Sequence, residues 1–220
     1  MNLGIIIQAR MGSTRLPGKV LMPIAGRPLL DHVLGRLKQL GREARVVVAT
    51  SSLDRDDPIA EHCRGLSDCY RGNELDVLDR YFCCTEAYGF DHVVRLTADN
   101  PFTDIDELDR LIELHLDTGY DYTHAFGMLP LGVGAEIFTR DALTRSQMDG
   151  LAPHHREHVN EYIHENPQRF HIGILDIPST KRAPQLRLTV DNREDYERAC
   201  RLALLAAPDW QTTAGAIAAC

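Results

Sequence analysis

Three cations threaded through a glycine-containing loop, and two aspartates set just past apolar strands, are the residues of this sequence best suited to chemistry. Residues 4–21 read GIIIQARMGSTRLPGKVL. Ile5, Ile6 and Ile7 form a β-branched run suited to a central strand buried on both faces. The run then breaks into a loop with Gly12, Ser13, Thr14, Pro17 and Gly18, along which Arg10, Arg15 and Lys19 are spaced. Glycines let a backbone approach a ligand closely and aim its N–H groups there, and the cations supply charge. Polyphosphate is the ligand class that wants both. An ordinary basic surface loop is the plainer reading, but the order of strand and then Gly-rich basic loop speaks against it. The loop is not a P-loop, because five residues separate Gly12 from Gly18 and Val20 follows Lys19. A Gly-x-Gly-x-x-Gly dinucleotide fingerprint is also missing.

The aspartates occur in two matching contexts. RLTADNPFTD (95–104) places Asp99 just after an apolar strand, and LRLTVDNREDYE (186–197) does the same for Asp191. Two carboxylates from two strand ends, meeting over a phosphate loop, would make a hard oxygen site suited to magnesium. Read from the residues alone, Asp191 serves equally well as the N-cap of the helix that follows. In YRGNELDVLDRY (70–81), Asp76 and Arg80 stand four apart, the spacing of a simple helix-surface ion pair. His154, His155 and His158 in HHREHVNEYI offer an i, i+4 chelating pair, but no third ligand stands at a sensible spacing, so no metal site is expected there.

The elements that must position these groups follow from periodicity. Strands are expected at 5–7, 44–50 and 92–98, with an extended piece at 68–72. Helices are expected at 28–40, from 58 to 66, over 75–88 and over 105–119. Further on, YDYTHA, GAEIFT, FHIGILDI and LRLTV read as strands. TRDALTRSQM, HHREHVNEYIHEN and REDYERACRLALLAA read as helices. The alternation up to residue 118 predicts an α/β fold with a doubly wound, mostly parallel sheet, and the later strands predict a mixed extension. A chain of 220 residues is one such domain, spanning 1–220, with an arm around 120–180 expected to project for homodimerisation.

Composition narrows the function. Apolar content of 44% and charged content of 25% are those of an ordinary globular chain. A net charge of −8 argues against a general nucleic-acid binder, so the basic loop reads as a local pocket on an acidic protein. No stretch is long and apolar enough for a membrane span, and a strand stands where a signal peptide would, so a cytoplasmic location and no membrane partner are expected. Cys63, Cys69, Cys83, Cys84, Cys200 and Cys220 show no Cys-x-x-Cys or zinc-finger spacing and read as reduced thiols.

The opening QARMGSTRLPGKVL resembles that of the sugar cytidylyltransferases, and within them the spore-coat polysaccharide (SpsF-type) branch. RLTADNP resembles that branch's RLTGDCP, LRLTVDN its RLTVDTPED, YRGNELDVLDRY its RGSEDDVLDRY, and GAEIFTRDAL its DVEVFSREAL. The resemblance implies a Rossmann-like sheet of the nucleotidyltransferase, or GT-A, type. It implies transfer of CMP from CTP to an acidic-sugar, phosphorylated or phosphonate acceptor, releasing pyrophosphate, in surface polysaccharide or glycoconjugate biosynthesis. By the same resemblance Ala9, Arg10, Gly12, Ser13, Arg15 and Lys19 wrap the triphosphate, with Arg10 and Lys19 catalytic. Asp99 and Asp191 hold Mg2+. Thr50 and Ser51 match an Ala-Thr-Ser segment near the base, Arg71, Gly72 and Asp76 bind nucleotide, and Arg80, Glu136, Arg156 and His158 face the acceptor. The chain departs from the branch with Ala98 for Gly, Asn100 for Cys, and Val133-Gly134-Ala135 for Leu-Asp-Val. The last departure bears on the acceptor more than on the nucleotide.

Two other functions were weighed. A nucleotide-sugar glycosyltransferase on the same sheet would carry Asp-x-Asp after a strand, and Asp99-Asn100-Pro101 lacks the second aspartate. A nucleotide-binding subunit without activity would bind CTP but never release pyrophosphate.

Overall fold

Leu3–Gln8 (β1) is the hub strand of the computed structural model, which describes residues 1–205 and 212–220. Its apolar run is buried on both faces: Ile5 and Ile7 join one core and Ile6 the other, as a period of two demands. After β1 come the phosphate-loop candidate, a small hairpin of Pro23–Ile24 (β2) and Arg27–Pro28 (β3), and the helix Leu29–Leu37 (α1). Arg45–Ser51 (β4), Asp57–His62 (α2), Asp68–Gly72 (β5), Val77–Tyr88 (α3), His92–Thr97 (β6) and Ile105–Thr118 (α4) follow. Tyr122–His124 (β7) and Glu136–Thr139 (β8) lead to helices Arg140–Asp149 (α5), Pro153–Glu157 (α6) and Glu161–Glu165 (α7). Ile172–Ile174 (β9), Arg193–Leu205 (α8) and Thr213–Ala218 (α9) complete the described chain.

The seven-stranded sheet runs β5-β4-β1-β6-β8-β7-β9. β5, β4, β1 and β6 are mutually parallel, β8 is antiparallel to both its neighbours, and β7 and β9 are parallel to each other. Side chains of α1, α4 and α8 pack on one face, and those of α3, α5 and α7 on the other, so the sheet is doubly wound and mixed. The chain steps outward from β1 to β4 and β5, then crosses to the other side of β1 to make β6. That reversal is a topological switch point, where two loops part and leave a crevice at the carboxyl ends of the strands. Gln8 stands opposite Thr97 in the β1–β6 register, so the loop after β1 and the loop carrying Asp99 leave the sheet side by side. Beneath the crevice the buried Tyr81 hydroxyl lies 3.0 Å from the Leu96 carbonyl and 3.3 Å from that of Ile6, tying α3 to both strands.

Three expectations about the elements change. LRLTV forms no strand; among the described residues its only ladder contact is a single bridge between Arg187 and Leu131. Leu188 and Thr189 N–H both donate to the Leu131 carbonyl, and Val190 N–H donates to Asp99 O at 2.9 Å, so loops rather than a neighbouring strand satisfy this backbone. Gly132 makes the approach possible: its φ is +92°, and a Cβ there would lie 2.6 Å from Thr189 N. FHIGILDI shortens to β9. HHREHVNEYIHEN is two short helices, because His158 is extended at φ −119°, ψ 105°. The 120–180 segment, expected to include an arm, supplies β7, β8 and β9 to the sheet and α5, α6 and α7 beside it. The predicted helix over 193–207 is seen to Leu205, and residues 206 and 207 lie outside those described.

Candidate active site

The loop after β1 is shaped by its own backbone. Ser13 and Gly18 N–H both donate to Met11 O at 3.0 Å, curling the chain, and Ser13 Oγ accepts from Leu16 N at 3.3 Å. Gly18 stands at φ +72°, a conformation that would strain any residue with a Cβ, and it turns the chain into the short helical turn that begins with Lys19. Met11 N–H donates to the carboxylate of Asp56 at 2.7 Å, and Asp56 also accepts from Ser51 N and Oγ. Burial pushes the Asp56 carboxyl up, but these hydrogen bonds outweigh it and hold the group below the usual carboxylate range. Asp56 thus pins the loop to the end of β4. Motif reading missed it because an aspartate opening a helix passes for a cap.

Lys19 is 7% exposed and points at both aspartates. Its Nζ lies 2.7 Å from Asp99 Oδ2 and 3.0 Å from Asp191 Oδ1. Thr97 Oγ1 donates to Asp99 Oδ1 at 2.6 Å and in turn accepts from Asn100 Nδ2 at 2.9 Å. The asparagine that departs from the relatives' cysteine therefore steadies the aspartate's own support. Asp191 is steadied by Arg187, which pairs with it and with Asp195, whose carboxylate Oδ2 also accepts from Asp191 N at 3.0 Å. Burial would raise the Asp191 carboxyl, but Lys19, Arg15 and Arg187 together hold it low. The cap that Asp191 was weighed against is supplied by its neighbour: Asn192 Oδ1 accepts Asp195 N–H at 2.9 Å at the start of α8. Asp191 is left facing the crevice.

Arg10, Ser13, Thr14, Arg15 and Lys19 from the loop, and Asp99 and Asp191 opposite, line one polar pocket of about 130 Å³ together with Gln8 and Thr97. Its small volume reflects how tightly the lysine and aspartates close on each other. Two carboxylates converging on one cationic point, with a threonine hydroxyl beside them, form a hard oxygen donor set that fits a divalent cation such as magnesium.

Other expected site residues lie elsewhere. Ala9 is buried, its N–H donating to Ala49 O, and Thr50 and Ser51 are fully buried at the end of β4. Arg71 binds the carbonyls of Ser51 and Leu53 and pairs with Asp57. Gly72 gives Tyr70 and Arg80 room, since a Cβ there would lie 3.0 Å and 3.1 Å from their side chains. Gly12 packs under Arg55. Asp76 caps α3 and pairs not with Arg80 but with Arg156, whose Nη2 is 2.6 Å away. Arg80 is 1% exposed and donates to the carbonyls of Asn73 and Glu74, and among the described residues its Nε and Nη2 have no hydrogen-bond partner. Glu136 is 0% exposed. It pairs with Arg95 across the β6–β8 register, and accepts from Tyr122 Oη at 2.5 Å and Asn160 Nδ2 at 3.0 Å. Of the four expected acceptor residues, only His158 opens onto the crevice.

The buried Glu136 network sets up a stability measurement. Glu136→Ala removes one member of a buried ion pair and strands Arg95, so a loss of about 3–5 kcal/mol is expected in urea unfolding. Glu136→Gln, which keeps an acceptor for Tyr122, should lose clearly less. Equal losses would mean that the charge paired with Arg95, not side-chain volume or a retained acceptor, is what the site requires.

His154 and His155 each place Nε2 on a different oxygen of Glu165, at 2.7 Å and 2.6 Å. The three donors sit within 4.8 Å of one another. His158 does not join them, because the chain leaves the helix at that residue, and the glutamate already serves both rings. Elemental analysis of the untagged protein should find no stoichiometric zinc. Zinc that is held tightly, and is lost from a His154→Ala, His155→Ala double variant, would overturn this expectation.

Comparison with known proteins places this geometry. Residues 4–213 match the cytidylyltransferase family model. The chain belongs to the cytidylyltransferase family. It is 42% identical over 199 residues to the spore coat polysaccharide biosynthesis protein SpsF of Bacillus subtilis, covering 87% of this chain and 82% of that one. A cytidylyltransferase structure from Leptospira borgpetersenii serovar Hardjo-bovis superposes with a TM-score of 0.92 at 32% identity, covering 99% of this chain and 93% of that one. A CMP:2-keto-3-deoxy-manno-octonic acid synthetase complexed with CTP shares the fold at a TM-score of 0.71 and 20% identity, covering 93% of this chain and 99% of that one. Family membership makes the chain a nucleotidyltransferase that uses CTP. Among the described residues, no helix is long and apolar enough to cross a membrane.

Proposed function

We propose that this cytidylyltransferase transfers CMP from CTP to a small acidic-sugar, phosphorylated or phosphonate acceptor, releasing pyrophosphate, and that it serves surface polysaccharide or glycoconjugate biosynthesis. One observation carries the reading: the basic loop and the aspartates Asp99 and Asp191, from three widely separated stretches of the sequence, meet in one pocket at the switch point. An oxygen of the acceptor attacks the α-phosphorus, a new P–O bond forms, and the bond to the β-phosphate oxygen breaks in line. Arg10, Arg15 and Lys19 stabilise the charge that develops on the phosphates and on the departing pyrophosphate. Ser13 and Thr14, which line the same pocket, add uncharged hydroxyl donors. Asp99 and Asp191 are the residues that would hold Mg2+, which when bound supplies further charge neutralisation at the phosphates.

The enzyme is proposed to act as a homodimer in the cytoplasm, with no nucleic-acid or membrane partner. A pyrophosphate-release screen tests the reading directly. The four nucleoside triphosphates, with magnesium, are set against nonulosonates, sugar phosphates and phosphonates. Release is expected with CTP and an anionic acceptor. Tight CTP binding with no pyrophosphate from any acceptor would instead favour a binding subunit, and release with another triphosphate would displace cytosine specificity.

A further inference from the structure

Next to the phosphate pocket lies a larger cavity of about 600 Å³, and Thr97, Asp99 and Asp191 belong to both. Whatever occupies it stands beside the groups that handle the phosphates. Its two walls differ in chemistry. One is the loop between β7 and β8, where Ala125, Phe126, Leu129, Pro130 and Leu131 present apolar surface, and Phe126 and Leu131 are exposed at 40% and 54%. Exposed large apolar side chains gathered at a cavity mouth mark a surface that a ligand covers. This loop is held in place rather than free, since Leu131 exchanges backbone hydrogen bonds with Leu186 and Leu188.

The other wall carries Arg95 and the imidazole of His158. Strand alternation on β6 puts Arg95 on the same face as Thr97, two residues before it, with Asp99 two further on. A charged residue inside a parallel strand is costly unless paired. Here Glu136 pairs with it from the neighbouring strand, and Tyr122 and Asn160 fix the glutamate in turn. The guanidinium spends Nη1 on Glu136; its Nε is buried and, among the described residues, has no hydrogen-bond partner, which leaves Nη2 as the group that can meet a ligand. An arginine carries its donors in a rigid fork suited to carboxylate and phosphate, and here the outer Nη edge, not the buried Nε, is the part presented at the cavity.

We infer that Arg95, aimed from β6 into the cavity, holds the acidic group of the acceptor, and that the wall from Phe126 to Leu131 selects an acceptor whose flank is apolar. Resting on the transfer reading above, this names the substrate class as a small acid bearing a deoxygenated, alkyl or acyl flank. Glu136 acts one step back, as the residue that positions Arg95. A heavily hydroxylated acid is disfavoured because its hydroxyl groups would lose water against carbon and gain no partner there.

The test is a binding measurement by NMR on protein loaded with Mg2+ and a non-hydrolysable CTP analogue, reading the Arg95 Nε–H and Thr97 amide signals. The probes are propylphosphonate, an acid with an apolar flank; glycerol 3-phosphate, an acid with a hydroxylated flank; and 1-propanol, a flank with no acid. Propylphosphonate should bind saturably and roughly threefold or more tighter than glycerol 3-phosphate, and propanol should not move the signals. Arg95→Lys should weaken propylphosphonate about tenfold. Because Arg95→Met alone leaves Glu136 buried without its partner, the second variant is Arg95→Met with Glu136→Gln, which should abolish the binding. In both variants the CTP analogue should bind within about twofold of the parent, a split that mere loosening of the fold would not produce. Glycerol 3-phosphate binding as tightly as propylphosphonate overturns the apolar selection. Propylphosphonate binding unchanged in both variants, or absent from the parent while the analogue binds, overturns the role of Arg95. Failure of the analogue itself to bind overturns the transfer reading, and this inference with it.

Discussion

Lys19→Ala is expected to slow turnover with CTP by about 2–4 kcal/mol in the transition state, roughly thirty- to a thousandfold, the scale of losing one preorganised donor to developing phosphate charge. The structure sharpens the reason. Lys19 is the shared partner of Asp99 and Asp191, at 2.7 Å and 3.0 Å, and is itself nearly buried. Without it two carboxylates face each other across a narrow pocket, with only Arg15 and Arg187 left beside Asp191. The empty enzyme should therefore lose stability as well, by about 1–2 kcal/mol, less than a fully buried pair would cost because both aspartates keep some contact with water. The two effects separate experimentally. Turnover is measured at saturating CTP well below the melting temperature, and stability by urea unfolding without nucleotide. A folded Lys19→Ala protein with parental kinetics would remove the lysine from catalysis and leave it a purely structural bridge.

What could be read in advance depended on how far apart in the chain the cooperating residues lie. The loop of residues 10–19 was legible because a strand, two glycines and three cations stand within one short stretch, and local chemistry alone points to phosphate. Asp99 and Asp191 were legible as two equivalent contexts, apolar strand then aspartate. The strand predicted before Asp191 is nevertheless absent, because Val190 N–H donates to Asp99 O instead of joining a ladder. That hydrogen bond brings the two carboxylates together, and no period in the sequence reports it. Arg95 and Glu136 were harder. Each is a single charge inside an apolar strand, in HVVRLTA and GAEIFT, and opposite charges so placed are a signal that the strands are neighbours. Glu136 was assigned to the acceptor, but it is fully buried behind Arg95, the residue that reaches the cavity. Arg80 was misleading for the opposite reason: its helical spacing from Asp76 suggests a pair on one helix, whereas Asp76 reaches across to Arg156 in α6. The doubly wound sheet and its mixed extension were legible from the alternation of elements, but the insertion of β8 between β6 and β7 as the antiparallel strand was not, since it follows from the long loop of residues 125–135 rather than from any strand.

Asp99→Asn and Asp191→Asn should each cut divalent-cation-dependent turnover by on the order of a thousandfold or more, the several kcal/mol that a bound cation contributes to phosphate chemistry. Magnesium commonly takes one or two protein carboxylates and keeps waters for the rest, so both aspartates are needed and neither has a spare. An amide preserves the shape and one acceptor oxygen, which separates loss of charge from loss of packing. Asp99 keeps Thr97 as a donor to that oxygen, and Asp191 sits at the rim where its side chain is 19% exposed. Unfolding should therefore shift by only about 1 kcal/mol, or some 2–4 °C for a chain of this size. A role for Asp191 as helix cap would give the reverse pattern, retained activity with a marked fall in melting temperature, and the structure already gives that task to Asn192. The measurement is pyrophosphate release against magnesium concentration for parent and variants, beside a thermal melt of each. If Asp191→Asn kept the parental magnesium dependence, the second ligand would have to be sought among the other side-chain oxygens of the same pocket, those of Gln8, Ser13, Thr14 and Thr97.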